Sequence, residues 1–235
     1  IQSPPPSQTI YAGFSGGLDS TVLLHALKHE IDPARFTLNA IHVHHGLHSH
    51  ADHWAAHCLE LCERWGIALN IVNIHITDTG RNLEHQARVA RYRAFADILK
   101  PGDCLALAHH QNDVAETLLL RLMRGSGTEA LGNMREIRPR GHYTLWRPLL
   151  HCPRTELEQY AQAHQLDWIE DSSNADVRFD RNFIRHRILP DLQQRFPNAA
   201  QRLAHSAALL MADADLLQPL ITAHVQQCAD GGQLD

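Results

Sequence analysis

The stretch that decides the fold runs Ile10-Tyr11-Ala12-Gly13-Phe14-Ser15-Gly16-Gly17-Leu18-Asp19-Ser20. Residues 10–14 form a short apolar run typical of a buried strand, and residues 21–28 have the apolar periodicity of a helix. The two glycines between them let main-chain N–H groups approach an anion, and the following helix adds free N–H groups and its positive dipole end. This turn is therefore predicted to bind phosphate groups.

The side chains of the same turn favour a triphosphate. Hydroxyl donors come from Ser15 and Ser20, while Asp19 would repel a bare triphosphate but suits one that Mg²⁺ bridges to the carboxylate. The turn is neither a Walker A loop nor a G-x-G-x-x-G fingerprint. The alternative is an ordinary tight turn capped by serine and aspartate. The predicted nucleotide ligands are Ser15, Gly16, Gly17, Leu18, Asp19 and Ser20.

The composition is that of an ordinary folded protein. Of the 235 residues, 44% are apolar, which is enough for a substantial core. No apolar run approaches the roughly 18 residues that span a bilayer, and no signal-peptide pattern occurs, so no membrane association is expected. The five cysteines are an odd number without a C-x-x-C pair. Reduced thiols and a cytoplasmic location are therefore expected.

The charge is distributed unevenly along the chain. Residues 1–120 carry 8 Lys+Arg against 12 Asp+Glu, residues 121–202 carry 13 against 10, and residues 203–235 carry none against 4. All basic residues of the middle block are arginines, which grip phosphate bidentately, although a bias in codon composition would produce the same preference. Because the last block is a poor phosphate binder, we expect further C-terminal domains to bind much of the nucleic acid. The first residue, Ile1, suggests a piece of a longer protein.

Strand and helix patterns alternate through the first part of the chain. Apolar strand-like runs recur at 38–44, 68–76 and 104–108, each followed by a helical pattern at about 52–65, 83–99 and 111–123. This alternation predicts an α/β fold, a twisted parallel sheet with helices on both faces and ligands at the carboxyl ends of the strands. From about Pro153 the chain reads as a smaller helical region, at 154–164, 183–195 and 199–227, broken at Pro190, Pro197 and Pro219.

At this point the chain resembles the PP-loop (N-type) ATP pyrophosphatase superfamily, a Rossmann-like fold, and within it the tRNA(Ile)-lysidine synthase family. Besides the Ser-Gly-Gly-Leu-Asp-Ser turn, the resemblance is carried by Ala40 to Leu47, Glu84 to Phe95, Ala108 to Thr117, Arg124 to Gly127, Arg147 to Leu150, Glu170 to Asn174 and Arg181 to Arg185. It implies an ATP-binding catalytic domain. The predicted divisions are an extended arm at 1–9, the catalytic domain at 10–152, a helical extension closing the active site at 153–200, and a linker helix at 201–235.

The resemblance also implies a reaction. ATP adenylates O2 of a cytidine in the CAU anticodon of tRNA(Ile), and free L-lysine then displaces AMP, with Mg²⁺ as cofactor. Asp113 and Glu116 lie three residues apart on one helix face, and we predict that Asp113 is the base or the ligand of the lysine amine, supported by Glu116. Asp19 completes the predicted catalytic residues. Helix N-terminal acids that complement the dipole are the alternative. Asn112 and Val114 depart from the family pattern, so we assign no metal site built by the protein alone.

Further residues are predicted to bind the substrates. His44 and His45 follow the second strand and match the family, so they are candidates for lining the nucleotide pocket; ordinary loop histidines are the alternative. The predicted tRNA and lysine ligands are Arg88, Arg91, Arg124, Arg181, Asn182 and Arg185. For Arg88 a salt bridge with Glu84 is the alternative, and for Arg181 and Arg185 an anchoring role against Glu170 and Asp171.

Other hypotheses are weaker. His53, His57, Cys58 and Cys62 have spacings that can bind zinc, but the cysteines fall on the apolar stripe of their helix. A tRNA thiolase of the same superfamily would need a cysteine pair or cluster. In an ammonia-using synthetase the arginine-rich block at 121–202 would have no evident role, and in a non-catalytic ATP-binding module Asp113 and Glu116 would have no role. The oligomeric state is left open, with a homodimer among the options.

Overall fold

The computed structural model describes residues 3–44, 46, 51–74, 83–132 and 134–230. Within these ranges the strands are β1 Thr9–Gly13, β2 Thr37–His44, β3 Ala68–Asn73, β4 Cys104–Ala106, β5 Ile137–Arg140 and β6 Tyr143–Trp146. The α-helices are α1 Leu18–Glu30, α2 Ala51–Trp65, α3 Leu83–Ile98, α4 Gln111–Met123, α5 Thr128–Leu131, α6 Arg154–Ala163, α7 Asp180–Phe183, α8 Leu189–Arg195 and α9 Ala199–Asp230. A 3-10 helix spans Ser172–Ala175, and a π-helix spans Ile184–Ile188.

The strands form one sheet in the order β3-β2-β1-β4-β6-β5. The predicted α/β fold is confirmed, since the first five strands in this order are parallel. The sheet is mostly parallel, since only its edge strand β5 among the described strands runs antiparallel to its neighbour, β6. Neither strand was predicted. All four residues of β5, Ile-Arg-Pro-Arg, are exposed, so this edge strand lacks the apolar pattern that marks a buried one.

Apolar clusters cover both faces of the sheet. On one face Ile10, Phe14 and Trp146 pack with residues of α1, α2 and α6. On the other face Ile41, Leu105 and Leu145 pack with Tyr92 and Phe95 of α3. Helices therefore lie on both faces, as the alternating pattern predicted. Burying each large apolar side chain contributes about 1.5–3 kcal/mol, which holds these helices on the sheet.

The described chain divides into two compact units. The first consists of the residues up to His110 together with Glu136–Asp171 and contains the sheet. The second consists of Gln111–Arg135 and the residues from Ser172 onward, in which α4 and α5 pack against α9. These bounds differ from the predicted divisions at 152 and 200, because α4 and α5 share their contacts with a helix distant in sequence. The predicted roles of those divisions stay predictions.

The prediction that Pro219 breaks the last helix is wrong, since α9 continues through it. Proline removes one backbone donor, but the surrounding side chains Leu216, Leu217 and Leu220 are exposed, so water can reach the carbonyl that loses its partner. Pro190 lies in the first turn of α8, where proline is tolerated. Within the described residues, no helix has both the length and the apolar character needed to cross a membrane.

Candidate functional site

The turn between β1 and α1 is held by its own serines. The Ser15 N–H donates to Ser20 Oγ over 3.2 Å, and the Ser20 hydroxyl donates to Gly17 O over 3.0 Å. Gly17 is the N-cap of α1, so the first N–H groups of the helix have no acceptor inside it. The Ser20 hydroxyl thus donates its hydrogen bond within the turn and stabilises the turn's conformation. The start of the helix presents backbone N–H donors. Such an end is a ready anion site.

Gly16 is the one position of the turn that only glycine fits. Its φ is +82°, and a Cβ there would lie 2.9 Å from Cys58 Sγ and 3.0 Å from Ile169 Cδ1. The Ile169 N–H donates to Gly16 O over 2.8 Å, so a residue far along the chain supports the turn from behind. Sequence reasoning missed this support, because Ile169 carries no motif of its own.

We expect Gly16→Ala to lower the free energy of unfolding by about 2–5 kcal/mol. A positive φ costs an L-residue about 1–2 kcal/mol, and forcing a methyl into a packed wall costs about 1–3 kcal/mol more. Urea unfolding of the variant measures the sum. Gly66→Ala is the matched control, because Gly66 has a φ of +67° but nothing within 4 Å of its Cβ position. Equal losses in the free energy of unfolding for the two variants would contradict the steric role of Cys58 and Ile169.

Asp19 lies in the first turn of α1 beside a buried histidine. Its Oδ2 is 3.6 Å from His110 Nε2, and the His110 side chain is fully buried. Among the described residues, no group donates a hydrogen bond to the buried Asp19 Oδ1. A carboxylate oxygen without a donor is the hard ligand that Mg²⁺ prefers, so the residues present fit that cation.

The histidines at the end of β2 have two different roles. His42 is buried, its Nδ1 donates to Phe14 O over 2.9 Å, and burial lowers its pKa, so it ties β2 to the start of the turn as a neutral ring. His44 Nε2 lies 3.0 Å from Asp52 Oδ1 at the start of α2. His45 lies outside the described residues. A nucleotide contact by either His44 or His45 stays a prediction.

The cysteines of α2 belong to the core. Cys58 and Cys62 are fully buried among residues such as Phe14 and Leu61, as the apolar stripe predicted. Burial raises the pKa of both thiols to about 12. Because zinc and electrophiles react with the thiolate, these two residues are poorly suited to either role at neutral pH.

In the second unit, Asp113, Glu116, Arg181 and Arg185 form a cluster that we call the carboxylate–arginine cluster. Arg181 donates from Nε to Glu116 Oε2 over 2.8 Å and from Nη2 to Asp113 Oδ1 over 2.7 Å. Arg185 donates from Nε to Glu116 Oε1 over 2.7 Å and from Nη2 to Asp113 Oδ1 over 3.1 Å. Asp113 and Glu116 therefore share one face of α4, as their spacing predicted.

The carboxylate–arginine cluster balances two negative charges with two positive ones. Glu116 exposes only 1% of its side chain. Burial alone would lower the pKa of Arg181, but Asp113 and Glu116 outweigh it and raise that pKa above its usual value. Both arginines thus pair with α4 carboxylates, and an anchoring role against Glu170 and Asp171 stays a prediction. The two acids do more than complement a helix dipole.

The other predicted substrate ligands contact residues of their own unit. Arg88 and Arg91 of α3 lie over the Tyr92 ring, with guanidinium carbons 5.1 Å and 5.9 Å from its centroid. The side chain of Glu84, the alternative partner of Arg88, lies outside the described residues. In the second unit, Arg124 Nη2 is 3.6 Å from Asp180 Oδ2, and Asn182 Nδ2 donates to Asp176 O over 3.0 Å. Substrate binding by these residues stays a prediction.

Comparison with known families agrees with the architecture. The family model of the PP-loop domain matches residues 1–192, which include the turn, the sheet and both arginines of the carboxylate–arginine cluster. The chain belongs to the PP-loop domain family. The matched range includes the Ser15–Ser20 turn, and phosphate binding by that turn and by the donors at the start of α1 stays a prediction.

This PP-loop protein has curated relatives that share about half of its residues over most of its length. It is 53% identical over 215 residues to a tRNA(Ile)-lysidine synthase of Xylella fastidiosa, which covers 91% of this chain and 49% of the relative. It is 50% identical over 224 residues to a tRNA(Ile)-lysidine synthase of Salmonella choleraesuis, covering 94% of this chain and 52% of the relative. The chain spans about half the length of the curated relatives it matches.

Among solved structures, the PP-loop protein is similar to the U34-tRNA thiolase NcsA from Methanococcus maripaludis. The TM-score is 0.66 at 19% sequence identity, covering 87% of this chain and 72% of the other. At that identity the likeness concerns the fold alone.

Sequence reasoning missed several residues that shape the PP-loop protein. His42 and Ile169 support the loop, and His110 lies beside Asp19. Arg147, buried and donating from Nε to His109 Nδ1 over 3.1 Å, also received no role. A signal for some of these residues was present in the sequence. The motifs that carry the family resemblance include His42, His109, His110 and Arg147, polar residues at or just after the ends of predicted strands.

Proposed function

We propose that this protein is an ATP-dependent ligase that joins L-lysine to C2 of the cytidine in the CAU anticodon of tRNA(Ile), forming lysidine. The observation that carries the proposal is 53% identity to a lysidine synthase over 91% of the chain. A cytoplasmic location, predicted from sequence, goes with this function.

The first step adenylates the base. O2 of the cytidine attacks the α-phosphate of ATP, the bond to the β-phosphate breaks, and pyrophosphate leaves. The backbone donors at the start of α1 would bind the triphosphate, with Ser15 and Ser20 shaping the turn that presents them. Asp19 and its buried Oδ1 would hold Mg²⁺, which, when bound, supplies positive charge against the triphosphate.

The second step transfers lysine. The ε-amine attacks C2, and the bond from C2 to the oxygen that carries AMP breaks. A free lysine amine has a pKa of about 10.4, so it must lose a proton before it attacks. Asp113 and Glu116 are the acids that would bind the ammonium and accept this proton. Both acids already accept hydrogen bonds from Arg181 and Arg185, so the ammonium would share these carboxylates with the two guanidinium groups.

The thiolase alternative is opposed by the thiols themselves. A sulfur carrier needs a reactive thiolate, whereas burial raises the pKa of Cys58, Cys62 and Cys104 to about 12. A non-catalytic ATP-binding module gives no account of the carboxylates that α4 brings together. Neither alternative explains the similarity to two lysidine synthases.

The decisive test incubates the full-length protein with ATP, Mg²⁺, radiolabelled lysine and tRNA(Ile) carrying the CAU anticodon. We expect label in the tRNA and one pyrophosphate released per lysine transferred. The control is the same tRNA with its anticodon cytidine replaced by uridine, which should stay unlabelled. Binding of ATP without pyrophosphate release would favour the non-catalytic module, and incorporation of sulfur from a donor in place of lysine would favour a thiolase. Either result overturns the proposal.

A further inference from the structure

The edge strand β5 has an unusual distribution of side chains. Arg138 lies opposite Leu145 and Arg140 opposite Tyr143. Cross-strand partners point to the same side of a sheet, and Leu145 and Tyr143 belong to the apolar cluster under α3. The two arginines therefore occupy the α3 side of the sheet, where an apolar pair would be expected, and their Cα atoms lie about 7 Å apart along the strand.

Tyr92 of α3 contacts arginines from both β5 and α3. The Arg140 guanidinium carbon lies 3.9 Å from the Tyr92 ring centroid, close enough for stacking, and Arg88 approaches the same ring at 5.1 Å. Tyr92 is only 5% exposed, whereas Arg140 is exposed. A buried ring thus fixes the position of a solvent-facing guanidinium. Less side-chain entropy is lost when such a group binds a ligand.

Positive charge accumulates along this edge. Arg147, the residue after β6, is buried, and burial lowers its pKa; Tyr92 opposes this shift, whereas the neighbouring Arg88 and Arg138 add to it. The carboxylate of Glu136, two residues before Arg138, lies 3.8 Å from His151. Guanidinium groups gathered on one edge raise the local positive potential, and such a potential attracts a polyanion.

We propose that Arg88, Arg138 and Arg140 form an RNA-backbone-binding strip along the β5 edge. The inference rests on the proposed function, which supplies a tRNA as the polyanion, and it adds Arg138 and Arg140 to the ligands predicted from sequence. Guanidinium groups bind phosphate oxygens bidentately, and contacts of this kind position a nucleic acid without reading its sequence. The strip would hold the tRNA backbone while other residues select the base.

Arginine and proline on an edge strand can also serve only to prevent pairing with another sheet. That role needs no ordered side chains. The stacking of Arg140 on Tyr92 and the clustering with Arg88 are not required for it, but both suit a surface that binds a chain of phosphates. The two roles predict different measurements.

The test compares the full-length protein with its Arg138→Gln/Arg140→Gln double variant. Affinity for a tRNA(Ile) transcript and for an unrelated duplex RNA is measured between about 50 and 200 mM salt. We expect both RNAs to bind the variant several-fold to about tenfold more weakly, with the slope of log affinity against log salt reduced by about 1 to 2. An Arg138→Lys/Arg140→Lys variant keeps the charge and should retain most of the salt slope.

Arg35→Gln is the matched control, because Arg35 is an exposed arginine of the same unit that lies 5.3 Å from the Phe36 ring centroid. It should bind both RNAs like the unmodified protein. Unchanged RNA affinity and slope in the double variant would overturn the strip, and self-association with unchanged affinity would assign β5 to edge protection instead. RNA binding is measured without catalysis, so this result can be interpreted even if the protein fails to transfer lysine. A failure of the RNA-binding strip and a failure of the proposed function are therefore distinguishable.

Discussion

Glu116→Gln is expected to lower the free energy of unfolding by about 3–5 kcal/mol, the range found when one partner of a buried ion pair is removed. Glu116 is almost fully buried and accepts hydrogen bonds from both Arg181 and Arg185. Glutamine keeps the shape but loses the charge, so two guanidinium groups would share the single carboxylate of Asp113. The uncompensated positive charge, more than the lost hydrogen bonds, sets the size of the effect. Urea unfolding followed by circular dichroism measures it.

Glu158→Gln provides the control for that experiment. Glu158 pairs with Arg154 over 3.1 Å one helical turn away, but its side chain is 44% exposed, so water screens the pair. Such pairs contribute about 0.3–0.5 kcal/mol, and the variant should unfold nearly like the unmodified protein. Similar losses for Glu116→Gln and Glu158→Gln would show that the carboxylate–arginine cluster is not a buried network in solution.

Asp19→Asn is expected to slow the proposed adenylation by about 10²-fold or more while leaving the fold intact. A metal ion that neutralises developing charge contributes several kcal/mol, and each about 1.4 kcal/mol is a factor of ten in rate. The neutral amide keeps the size of the side chain but is a much weaker ligand for Mg²⁺ and places an N–H₂ where the buried Oδ1 lies. The readout is tRNA-dependent exchange of labelled pyrophosphate into ATP, with the Mg²⁺ concentration varied.

The control is Asp167→Asn, which removes a carboxylate that is 68% exposed and 3.4 Å from Arg64. It should exchange pyrophosphate at the rate of the unmodified protein. Exchange by Asp19→Asn at the same rate as Asp167→Asn would contradict the assignment of Asp19. A midpoint of urea unfolding equal to that of the unmodified protein separates lost chemistry from lost structure.

Features that repeat over short distances were predictable from sequence. The alternation of apolar runs with helical periodicity predicted β1 to β4 and α1 to α4, because burial on a sheet imposes that pattern residue by residue. The same local logic placed Cys58 and Cys62 in the core. Edge strand β5 escaped prediction, because an exposed strand is under no such constraint, and Pro219 was assigned too strong an effect for an exposed helix.

The candidate site follows the same division. The glycines and serines from Ser15 to Ser20 predict a tight turn before a helix, because glycine adopts the positive φ that such a turn uses. Phosphate binding by that turn stays a prediction. The partners of Asp113 and Glu116 were not deducible, since Arg181 and Arg185 lie more than sixty residues away and arginines are common in that block. The support of Gly16 by Ile169 is equally distant in sequence.

By itself, then, the sequence determined the α/β alternation, the glycine turn between β1 and α1 and the shared face of Asp113 and Glu116, all of which depend on the local geometry of strands and helices. Only the tertiary structure decided which charges neutralise those two acids, which residues support Gly16, and that Tyr92 gathers the arginines of β5. Those outcomes depend on contacts between segments far apart in the chain. No local periodicity records such contacts, because burial and charge pairing are decided when the segments meet.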